Sequence, residues 1–526
     1  MLGSFISVSN ISYNLPDSVP LLSNISFTVN YGDKIALIGN NGSGKTTLAR
    51  IAAGILPPLS GTVTSNADIF YLPQTMPPVN GNAGSLLDVK GKVAALEAIE
   101  AGNAPEEYFL IIDNDWDMRE QIVKELAFWN ISHICLKHDI TAISGGEKEK
   151  LLLAGAFLSG ADIIIFDEPT NSLDASSRNI FMKRLQETNT GALIISHDRN
   201  VLEHIPYMME LERGKLFFYG GNYTFYRAEK EKELRILEQK QTTVKSEIKR
   251  LKSTMVKDTE KAARNVKVGK SNIAKARYPR IVAQARKGLS EISLAKKRDI
   301  SVNKIEKADN KLKELTAELK KHPLKIPMPE NPFVRERLVE FQFISFSYED
   351  RVILENFNLL VYGGERLAVA GNNGVGKTTL IKLIMGILEP QKGTVMRNGH
   401  FICLDQNLSI IDPKKSVLEN MRAINPALTI NEAHKTLANF NFRNTQTDKL
   451  AKNLSGGELL RCCMATILAT DRHPDLIIMD EPTNNLDIYS LEILESALNQ
   501  YRGGLIIISH DETFLDNVGV EEEIRL

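Results

Sequence analysis

The sequence predicts an α/β protein in which two copies of one domain are joined by an α-helical hairpin. A short apolar strand, a Gly-rich turn and a helix-forming stretch occur in that order twice, at 35–50 and 367–382. Each copy continues to another apolar strand that ends in Asp-Glu. A charged segment with coiled-coil spacing separates the two copies. We therefore expect a first domain at 1–222, a linker at 223–326 and a second domain at 327–526.

Length and composition agree with two globular units and exclude several classes of protein. With 526 residues and 43% apolar content, the chain can bury at least two cores and is not disordered as a whole. Its four cysteines lack disulfide-framework or metal-ligand spacing, which predicts reduced thiols. The most apolar run, 151–166, is too short to span a bilayer, and the first ten residues show no secretory signal. We expect a cytoplasmic protein without membrane insertion.

The charged segment predicts a basic helical hairpin. Within it, seam residues recur at spacings that alternate between three and four on both sides of a helix-breaking stretch, at Leu234, Leu237, Gln241, Val244, Ile248, Leu251, Met255, Ile305, Ala308, Leu312, Leu315 and Leu319. Gly269, Pro279 and Gly288 are expected to break the helix, which leaves a first helix of about 33 residues, roughly 50 Å long. Residues 261–298 hold twelve Lys or Arg against one acidic residue, Glu291. The turn of the hairpin is thus suited to a polyanion.

The two Gly-rich turns match the phosphate-binding loop. Backbone N–H groups of such a loop surround phosphates, its Lys reaches the terminal phosphates, and the Thr after the Lys can bind Mg²⁺. A chance Gly-rich turn is the alternative for one copy, and a second complete copy makes chance untenable. The residues expected to bind the nucleotide are Gly39, Asn40, Asn41, Gly42, Ser43, Gly44, Lys45, Thr46 and Thr47, and Gly371, Asn372, Asn373, Gly374, Val375, Gly376, Lys377, Thr378 and Thr379.

Other motifs recur in the same order in both copies. Gln74 and Gln406 each lie 35 residues after the first Gly of their loop. The Ser-Gly-Gly-Glu motif follows at Ser144, Gly145, Gly146 and Glu147, and at Ser455, Gly456, Gly457 and Glu458. The strand-end pairs are Asp167-Glu168 and Asp480-Glu481, and His197 and His510 each come 29 residues after the Glu. A solvated turn is the alternative for such an acidic pair, but the repeated order favours catalysis.

Together these residues resemble the ABC ATPase family across both halves. Tandem Ser-Gly-Gly-Glu signatures joined by a charged hairpin further resemble the ABC-F family, whose members act on the ribosome. The resemblance implies an α/β core with a helical subdomain in each half, and head-to-tail closure. The loop of one half and the signature of the other would then hold one ATP. A monomer with an intramolecular ATPase dimer follows from this arrangement.

The resemblance also implies individual roles in Mg²⁺-dependent hydrolysis of ATP to ADP and phosphate. Glu168 and Glu481 would be the bases that polarise water, and His197 and His510 would contact the γ-phosphate. Mg²⁺ would be held by Thr46, Gln74 and Asp167 in one site, and by Thr378, Gln406 and Asp480 in the other. Tyr348 suits the aromatic residue that stacks on adenine, whereas Leu15 takes that place in the first half.

As a member of the ABC-F family, the chain would bind the ribosome, with its linker directed toward rRNA and tRNA. The residues expected to contact RNA are Lys270, Lys275, Arg277, Tyr278, Arg280, Arg286 and Lys287. A solvated helical face is the alternative for this charge run, and its strong sign bias favours RNA. The expected function is a general translation factor or a factor that protects ribosomes from antibiotics.

Two other functions stay open on the sequence alone. A fused pair of ATPases of this length could energise a membrane transporter, although the long basic hairpin argues against that function. A nucleotide-switched scaffold without turnover is the second alternative, which an ATPase assay would separate from an enzyme.

Overall fold

The computed structural model describes most of the chain from residue 3 onward. Outside the described residues lie 1–2, 75–80, 88–90, 103–105, 113–115, 172, 276–299, 317–335, 350, 372–373, 406–407, 441, 470–473, 484–485 and 510. At 93–94, 262–263, 265–275 and 444 only the backbone is described. Both halves belong to one compact unit, Met1–Tyr226 with Leu324–Leu526, and Arg227–Pro323 form a second unit.

The first half contains nine strands and eight α-helices within its described residues. Its strands are β1 (Phe5–Asn14), β2 (Pro20–Asn30), β3 (Lys34–Ile38), β4 (Ser60–Ser65), β5 (Ile69–Leu72), β6 (Ile163–Asp167), β7 (Gly191–Ile195), β8 (Tyr207–Glu212) and β9 (Lys215–Tyr219). Its helices are α1 (Lys45–Ala52), α2 (Ala83–Leu87), α3 (Lys92–Glu100), α4 (Glu106–Ile112), α5 (Met118–Phe128), α6 (Gly145–Leu158), α7 (Ala175–Glu187) and α8 (Arg199–Glu203). A 3₁₀ turn, Ile140–Ala142, precedes α6.

A six-stranded sheet in the order β5-β6-β7-β3-β8-β9 forms the centre of the first half. All neighbouring strands are parallel except β8 and β9. A second, antiparallel sheet has the order β2-β1-β4. Strand β6 has four consecutive apolar residues followed by Asp167, and all five are buried, as is typical of a central parallel strand covered on both faces. Such a sheet brings the carboxyl ends of β3, β6 and β7 to one edge.

Two linker helices connect the first half to the second half, which contains eight strands and six α-helices within its described residues. Helix α9 spans Tyr223–Lys275, and residues 300–316 form helix α10. The strands of the second half are β10 (Arg337–Tyr348), β11 (Arg351–Tyr362), β12 (Arg366–Ala370), β13 (Lys392–Arg397), β14 (Phe401–Leu404), β15 (Leu476–Asp480), β16 (Gly504–Ile508) and β17 (Glu522–Arg525). Its helices are α11 (Lys377–Ile384), α12 (Val417–Ile424), α13 (Ile430–Asn439), α14 (Gly456–Leu468), α15 (Ile488–Gln500) and α16 (Glu512–Val518). Two 3₁₀ turns are Asn444–Asp448 and Ala451–Asn453.

The second half repeats the architecture of the first. Its parallel sheet has the order β14-β15-β16-β12-β17, and its antiparallel sheet has the order β11-β10-β13. The halves differ in their helical insertion, because α2–α5 precede the first Ser-Gly-Gly-Glu motif whereas α12 and α13 precede the second. The predicted pair of α/β domains is confirmed.

In the linker unit, α9 and α10 pack against each other. Val244, Ile248 and Leu315 are buried between them, and Gln241 Nε2 donates a 3.0 Å hydrogen bond to Thr316 Oγ1. The expected break at Gly269 is wrong, because α9 continues to Lys275 and has 53 residues rather than about 33. The other two expected helix breakers, Pro279 and Gly288, lie outside the described residues. One glycine costs a helix only about 1 kcal/mol, which the many turns around it absorb. At 1.5 Å per residue, α9 is about 80 Å long.

Candidate functional site

The first phosphate-binding loop joins the end of β3 to the start of α1. Lys45, the first residue of α1, is buried, and its Nζ donates to the carbonyl oxygens of Gly39 (2.7 Å) and Asn40 (3.2 Å). Gly39 has a φ of 150°, and a Cβ atom there would lie 2.4 Å from the carbonyl oxygen of Leu211. Only glycine therefore lets the loop turn this close to β8.

The end of β6 brings a pair of carboxylates next to this loop. Asp167 accepts hydrogen bonds from Thr46 Oγ1 (3.3 Å) and from the Tyr71 hydroxyl (3.0 Å). Glu168 has a φ of 54°, and its N–H donates to the carbonyl oxygen of Ile195 at the end of β7 (2.9 Å). A positive φ at a non-glycine residue turns the chain away from the strand direction, at a cost that functional sites commonly carry.

His197, which follows β7, lies against the second of these carboxylates. Its Nε2 is 3.2 Å from Glu168 Oε1, and both side chains are mostly buried. Burial raises the pKa of Glu168 to about 7; the Lys45 ammonium opposes this rise and the Asp167 carboxylate adds to it. Burial and the Lys45 charge lower the pKa of His197 to about 3, so its ring is neutral at pH 7. A carboxyl group with a pKa near the working pH is suited to accept a proton from water.

Thr46 and Asp167 form an oxygen pair that fits Mg²⁺. Magnesium in nucleotide sites is typically bound through one or two protein oxygens, with phosphate and water oxygens as the remaining ligands. The described residues contain no group of three or more His, Cys, Asp or Glu side chains able to hold a metal by themselves. Gln74 lines the same cavity.

The cavity at the first loop is completed by the second half of the chain. It has a volume of about 650 Å³, and its lining includes Lys45, Glu168 and His197 of the first half with Ser455 and Gly456 of the second. Ser455 begins α14 in a capping box, in which Glu458 N–H donates to Ser455 Oγ (3.3 Å) and Ser455 N–H donates to Glu458 Oε2 (2.9 Å). The positive end of the α14 dipole therefore lies at this cavity. We call this cavity and its lining the first site.

A direct hydrogen bond also joins the first loop to the second half. The N–H of Asn41 donates to Asp487 Oδ2 (2.7 Å), while Asp487 Oδ1 accepts from the N–H of Ser490 (2.7 Å). Asp487 is thus both the N-cap of α15 and a partner of the loop. Burial would raise its pKa, but these hydrogen bonds outweigh burial and lower it.

The corresponding residues of the second half, which we call the second site, have the same local arrangement. Lys377 Nζ donates to the Gly371 carbonyl oxygen (2.7 Å), and Thr378 Oγ1 donates to Asp480 Oδ2 (3.4 Å). Glu481 has a φ of 49°, and its N–H donates to the Ile508 carbonyl oxygen (2.9 Å), as at Glu168. Asn372, Asn373, Gln406 and His510 lie outside the described residues.

The first-half signature forms the same capping box as the second. Ser144 precedes α6, and its Oγ accepts from the N–H of Glu147 (3.4 Å) while its own N–H donates to Glu147 Oε2 (3.0 Å). The Ser-Gly-Gly-Glu motif thus has a local physical reason at both positions, because it caps a helix whose first N–H groups have no acceptor in the helix backbone. That Ser144 contacts a nucleotide bound by the second half stays a prediction.

Comparisons with known proteins agree with this geometry. A family model described as ABC transporter matches residues 22–171 and 354–484. The ATP-binding protein Uup of Buchnera aphidicola subsp. Schizaphis graminum is 30% identical over 533 residues, which cover 97% of this chain and 79% of Uup. The energy-dependent translational throttle protein EttA of Haemophilus influenzae is 29% identical over 539 residues, which cover 96% of this chain and 89% of EttA. The chain belongs to the ABC-F family.

A solved structure shows that the fold of this ABC-F chain also occurs in more distant proteins. The complex of archaeal ribosomal stalk protein aP1 with archaeal ribosome recycling factor aABCE1 matches with a TM-score of 0.59. The likeness covers 97% of this chain and 86% of that chain at 20% identity. Among the residues that the structure describes, no helix combines the length and apolar character needed to cross a membrane.

The residues at the positions predicted to meet the adenine base differ between the two halves of this ABC-F protein. Leu15 and Leu21 line the first site, so an aliphatic surface lies beside the phosphate loop there. Tyr348 lies at the end of β10, is 44% exposed, and meets Phe346 edge to face with 5.0 Å between ring centroids. Its role in adenine stacking stays a prediction.

The residues expected to contact RNA fall almost wholly outside the described part. Arg277, Tyr278, Arg280, Arg286 and Lys287 are not described, and Lys270 and Lys275 are described only as backbone within α9. Their contacts with RNA stay a prediction.

Sequence reasoning missed three contacts in this ABC-F protein. Tyr71 on Asp167 and Asp487 on Asn41 are described above; the third is a buried ion pair between Arg199 and Glu495, with 2.5 Å between Arg199 Nη1 and Glu495 Oε1. The only available signal for Asp487 was the Leu-Asp pair that follows each Pro-Thr-Asn run. Arg199 gave none, because the second half has Glu512 at the same place after its His-Asp pair.

Proposed function

We propose that this ABC-F chain binds and hydrolyses ATP with Mg²⁺ between its two halves, and that closure of the halves drives action on the ribosome during translation. The observation that carries the ATPase part is the first site, where Lys45, Glu168 and His197 of one half share a cavity with Ser455 and Gly456 of the other. A monomer can build such a site from its own two halves, without a second chain.

In this proposal each protein group of the first site has one task. The loop N–H groups and Lys45 bind the β- and γ-phosphates, while Ser455 and the first N–H groups of α14 donate to the γ-phosphate from the other side. Glu168 accepts a proton from the attacking water, and the neutral His197 ring holds that carboxylate in place. Mg²⁺, held by Thr46 and Asp167 with Gln74 nearby, would neutralise charge on the phosphates. The corresponding tasks in the second site fall to Lys377, Thr378, Asp480 and Glu481.

Phosphate release measured with purified protein tests the ATPase part. We expect Mg²⁺-dependent turnover that falls at least about a hundredfold in Glu168→Gln/Glu481→Gln, because removal of a positioned base typically costs that much. Turnover that persists in the double variant would contradict the assignment of both bases. A chain without any turnover would instead behave as a nucleotide-switched scaffold.

The ribosomal part of the proposal rests on family and charge. EttA, named as a translational throttle, is similar over 96% of this chain. The basic run at 261–298 offers twelve cationic side chains to the phosphates of rRNA and tRNA. Replacing Arg277 and Arg280 by Gln should weaken ribosome binding and flatten its salt dependence; unchanged binding would place the RNA contact elsewhere. A ribosomal partner would place the protein in the cytoplasm.

Two forms of this function give different results in a translation extract. A factor that protects ribosomes restores protein synthesis in an extract inhibited by a ribosome-targeting antibiotic. A general translation factor changes synthesis without antibiotic and leaves the inhibitory drug concentration unchanged. Measuring synthesis against drug concentration, with Glu168→Gln/Glu481→Gln as control, separates them.

A further inference from the structure

A buried ion pair joins the two halves close to the first site. The Arg199 guanidinium contacts the Glu495 carboxylate through both of its terminal nitrogens, at 2.5 Å for Nη1 to Oε1 and 3.5 Å for Nη2 to Oε2. Arg199 is 3% exposed and Glu495 is 7% exposed. Two-point contact of this kind fixes direction as well as distance.

Arg199 stands at the start of α8, two residues after His197. Asp198 lies between them and caps α8 by accepting from the N–H of Asn200 (3.0 Å). A second contact with the other half follows directly, because Thr513 Oγ1 donates to Asn200 Oδ1 (3.4 Å). The segment that carries His197 is therefore held by the second half through two consecutive residues.

Glu495 belongs to the same helix whose N-cap holds the phosphate loop. Asp487 accepts from Asn41 at the start of α15, and Glu495 contacts Arg199 eight residues later, about 12 Å along the helix axis. Asn517 Nδ2 donates to Glu495 Oε1 (3.1 Å) and orients the carboxylate. One rigid helix of the second half thus contacts the loop and the His197 segment of the first half at once.

We propose that Arg199 and Glu495 are a positioning pair, which makes turnover at the first site depend on docking of the second half. Neither Arg199 nor Glu495 lines the first site. The pair sets where α8 begins and so where His197 meets Glu168. When the second half docks, α15 contacts the phosphate-binding loop through Asp487 and positions the His197 segment through Glu495. This inference rests on the proposed ATPase function.

The test uses a Glu481→Gln background, in which turnover reports the first site. Arg199→Met should lower kcat about tenfold or more and change KM for ATP by less than about threefold, since the pair positions catalytic groups rather than binding phosphate. Arg199→Met leaves the Glu495 charge buried without its partner, so Arg199→Met/Glu495→Met should have a higher melting temperature than Arg199→Met. Its kcat should stay low. Recovery of both stability and kcat would show that the pair is structural only, and would overturn the inference.

The matched control is Arg184→Met. Arg184 Nη2 lies 2.9 Å from Glu125 Oε2, so it is an ion pair with a buried carboxylate that lies wholly within the first half. We expect it to lower the melting temperature and leave kcat within about twofold, as for a change that removes no interaction with the reacting groups. If the Glu481→Gln parent shows no turnover that depends on Glu168, the proposed function fails. If the parent is active and Arg199→Met keeps its kcat, only the positioning pair fails.

Discussion

Asn41 and Asp487, separated by 446 residues in the sequence, are joined by a 2.7 Å hydrogen bond from the Asn41 N–H to the Asp487 carboxylate. The bond connects a phosphate-binding loop in one half to the N-cap of α15 in the other. One N–H group of the loop that is proposed to bind phosphate is therefore held by the neighbouring half. This hydrogen bond is a direct contact through which nucleotide binding at the loop could be coupled to closure of the two halves.

Replacing Asp487 separates its contact with the loop from its role as a helix cap. Asp487→Ser keeps an N-cap acceptor for Ser490, but the shorter side chain does not reach Asn41. In a Glu481→Gln background we expect kcat to fall about tenfold, because the loop is less well placed. The melting temperature should change by less than about 3 °C. Phosphate release and calorimetry measure the two quantities, and an unchanged kcat would contradict a functional role for the contact.

The raised pKa of Glu168 predicts a pH dependence of turnover. With a pKa of about 7 in the free protein, the carboxylate form that accepts a proton becomes more populated as pH rises. Between pH 6 and pH 8 we expect kcat/KM in the Glu481→Gln background to rise about tenfold. Glu168→Gln in the same background is the control and should lose the dependence. A flat profile for the parent would show that Glu168 is not the titrating base.

The same pKa predicts that Glu168 destabilises the nucleotide-free protein at high pH. The pKa of Glu168 is about 7 when the protein is folded and near the ordinary value of 4.5 when it is unfolded. The folded state therefore binds more protons between these values, and the free energy of unfolding falls as pH rises. Above pH 7 the loss amounts to about 3 kcal/mol. Glu168→Gln should therefore raise the melting temperature more at pH 8 than at pH 5. His197, whose pKa is lowered, acts in the opposite direction but is present in both proteins. An increase independent of pH would contradict the raised pKa; exposed Glu97→Gln is the control.

We predict that Glu203 stabilises the first turn of α9. Its carboxylate accepts from the Thr224 N–H (3.0 Å), the Thr224 hydroxyl (2.9 Å) and Asn222 Nδ2 (2.7 Å). Hydrogen bonds to a charged acceptor contribute about 1.5–3 kcal/mol, so Glu203→Leu should speed amide exchange at Thr224 about tenfold to a hundredfold. Glu210→Gln, which alters the partner of the Tyr226 hydroxyl and not the Thr224 amide, is the matched control. Unchanged exchange would contradict the cap.

Local motifs let the sequence predict the strands and loops of both sites, because their chemistry lies within a few consecutive residues. The strand before each loop and the strand before each Asp-Glu pair occur where the apolar runs place them. Contacts between halves could not be predicted, since Asn41–Asp487 and Arg199–Glu495 depend on how two separately folded sheets meet. The pKa of Glu168 likewise depends on burial that several distant segments create together.

Gly269 shows where a local rule failed for a physical reason. A glycine weakens a helix without ending it, and α9 continues for six residues beyond Gly269. The seam at Val244, Ile248 and Leu315 was predictable from spacing, because two helices that pack side by side must present apolar residues every three or four positions.

Cosedimentation with ribosomes tests the central claim of an ATP-driven ribosomal factor most directly. The Glu168→Gln/Glu481→Gln chain, which should bind ATP without hydrolysing it, is mixed with ribosomes in ATP or ADP at low salt and centrifuged. We expect it to pellet with ribosomes in ATP and to remain in the supernatant in ADP, with binding that weakens as salt increases. Absence from the ribosomal pellet in ATP at low salt would contradict the claim.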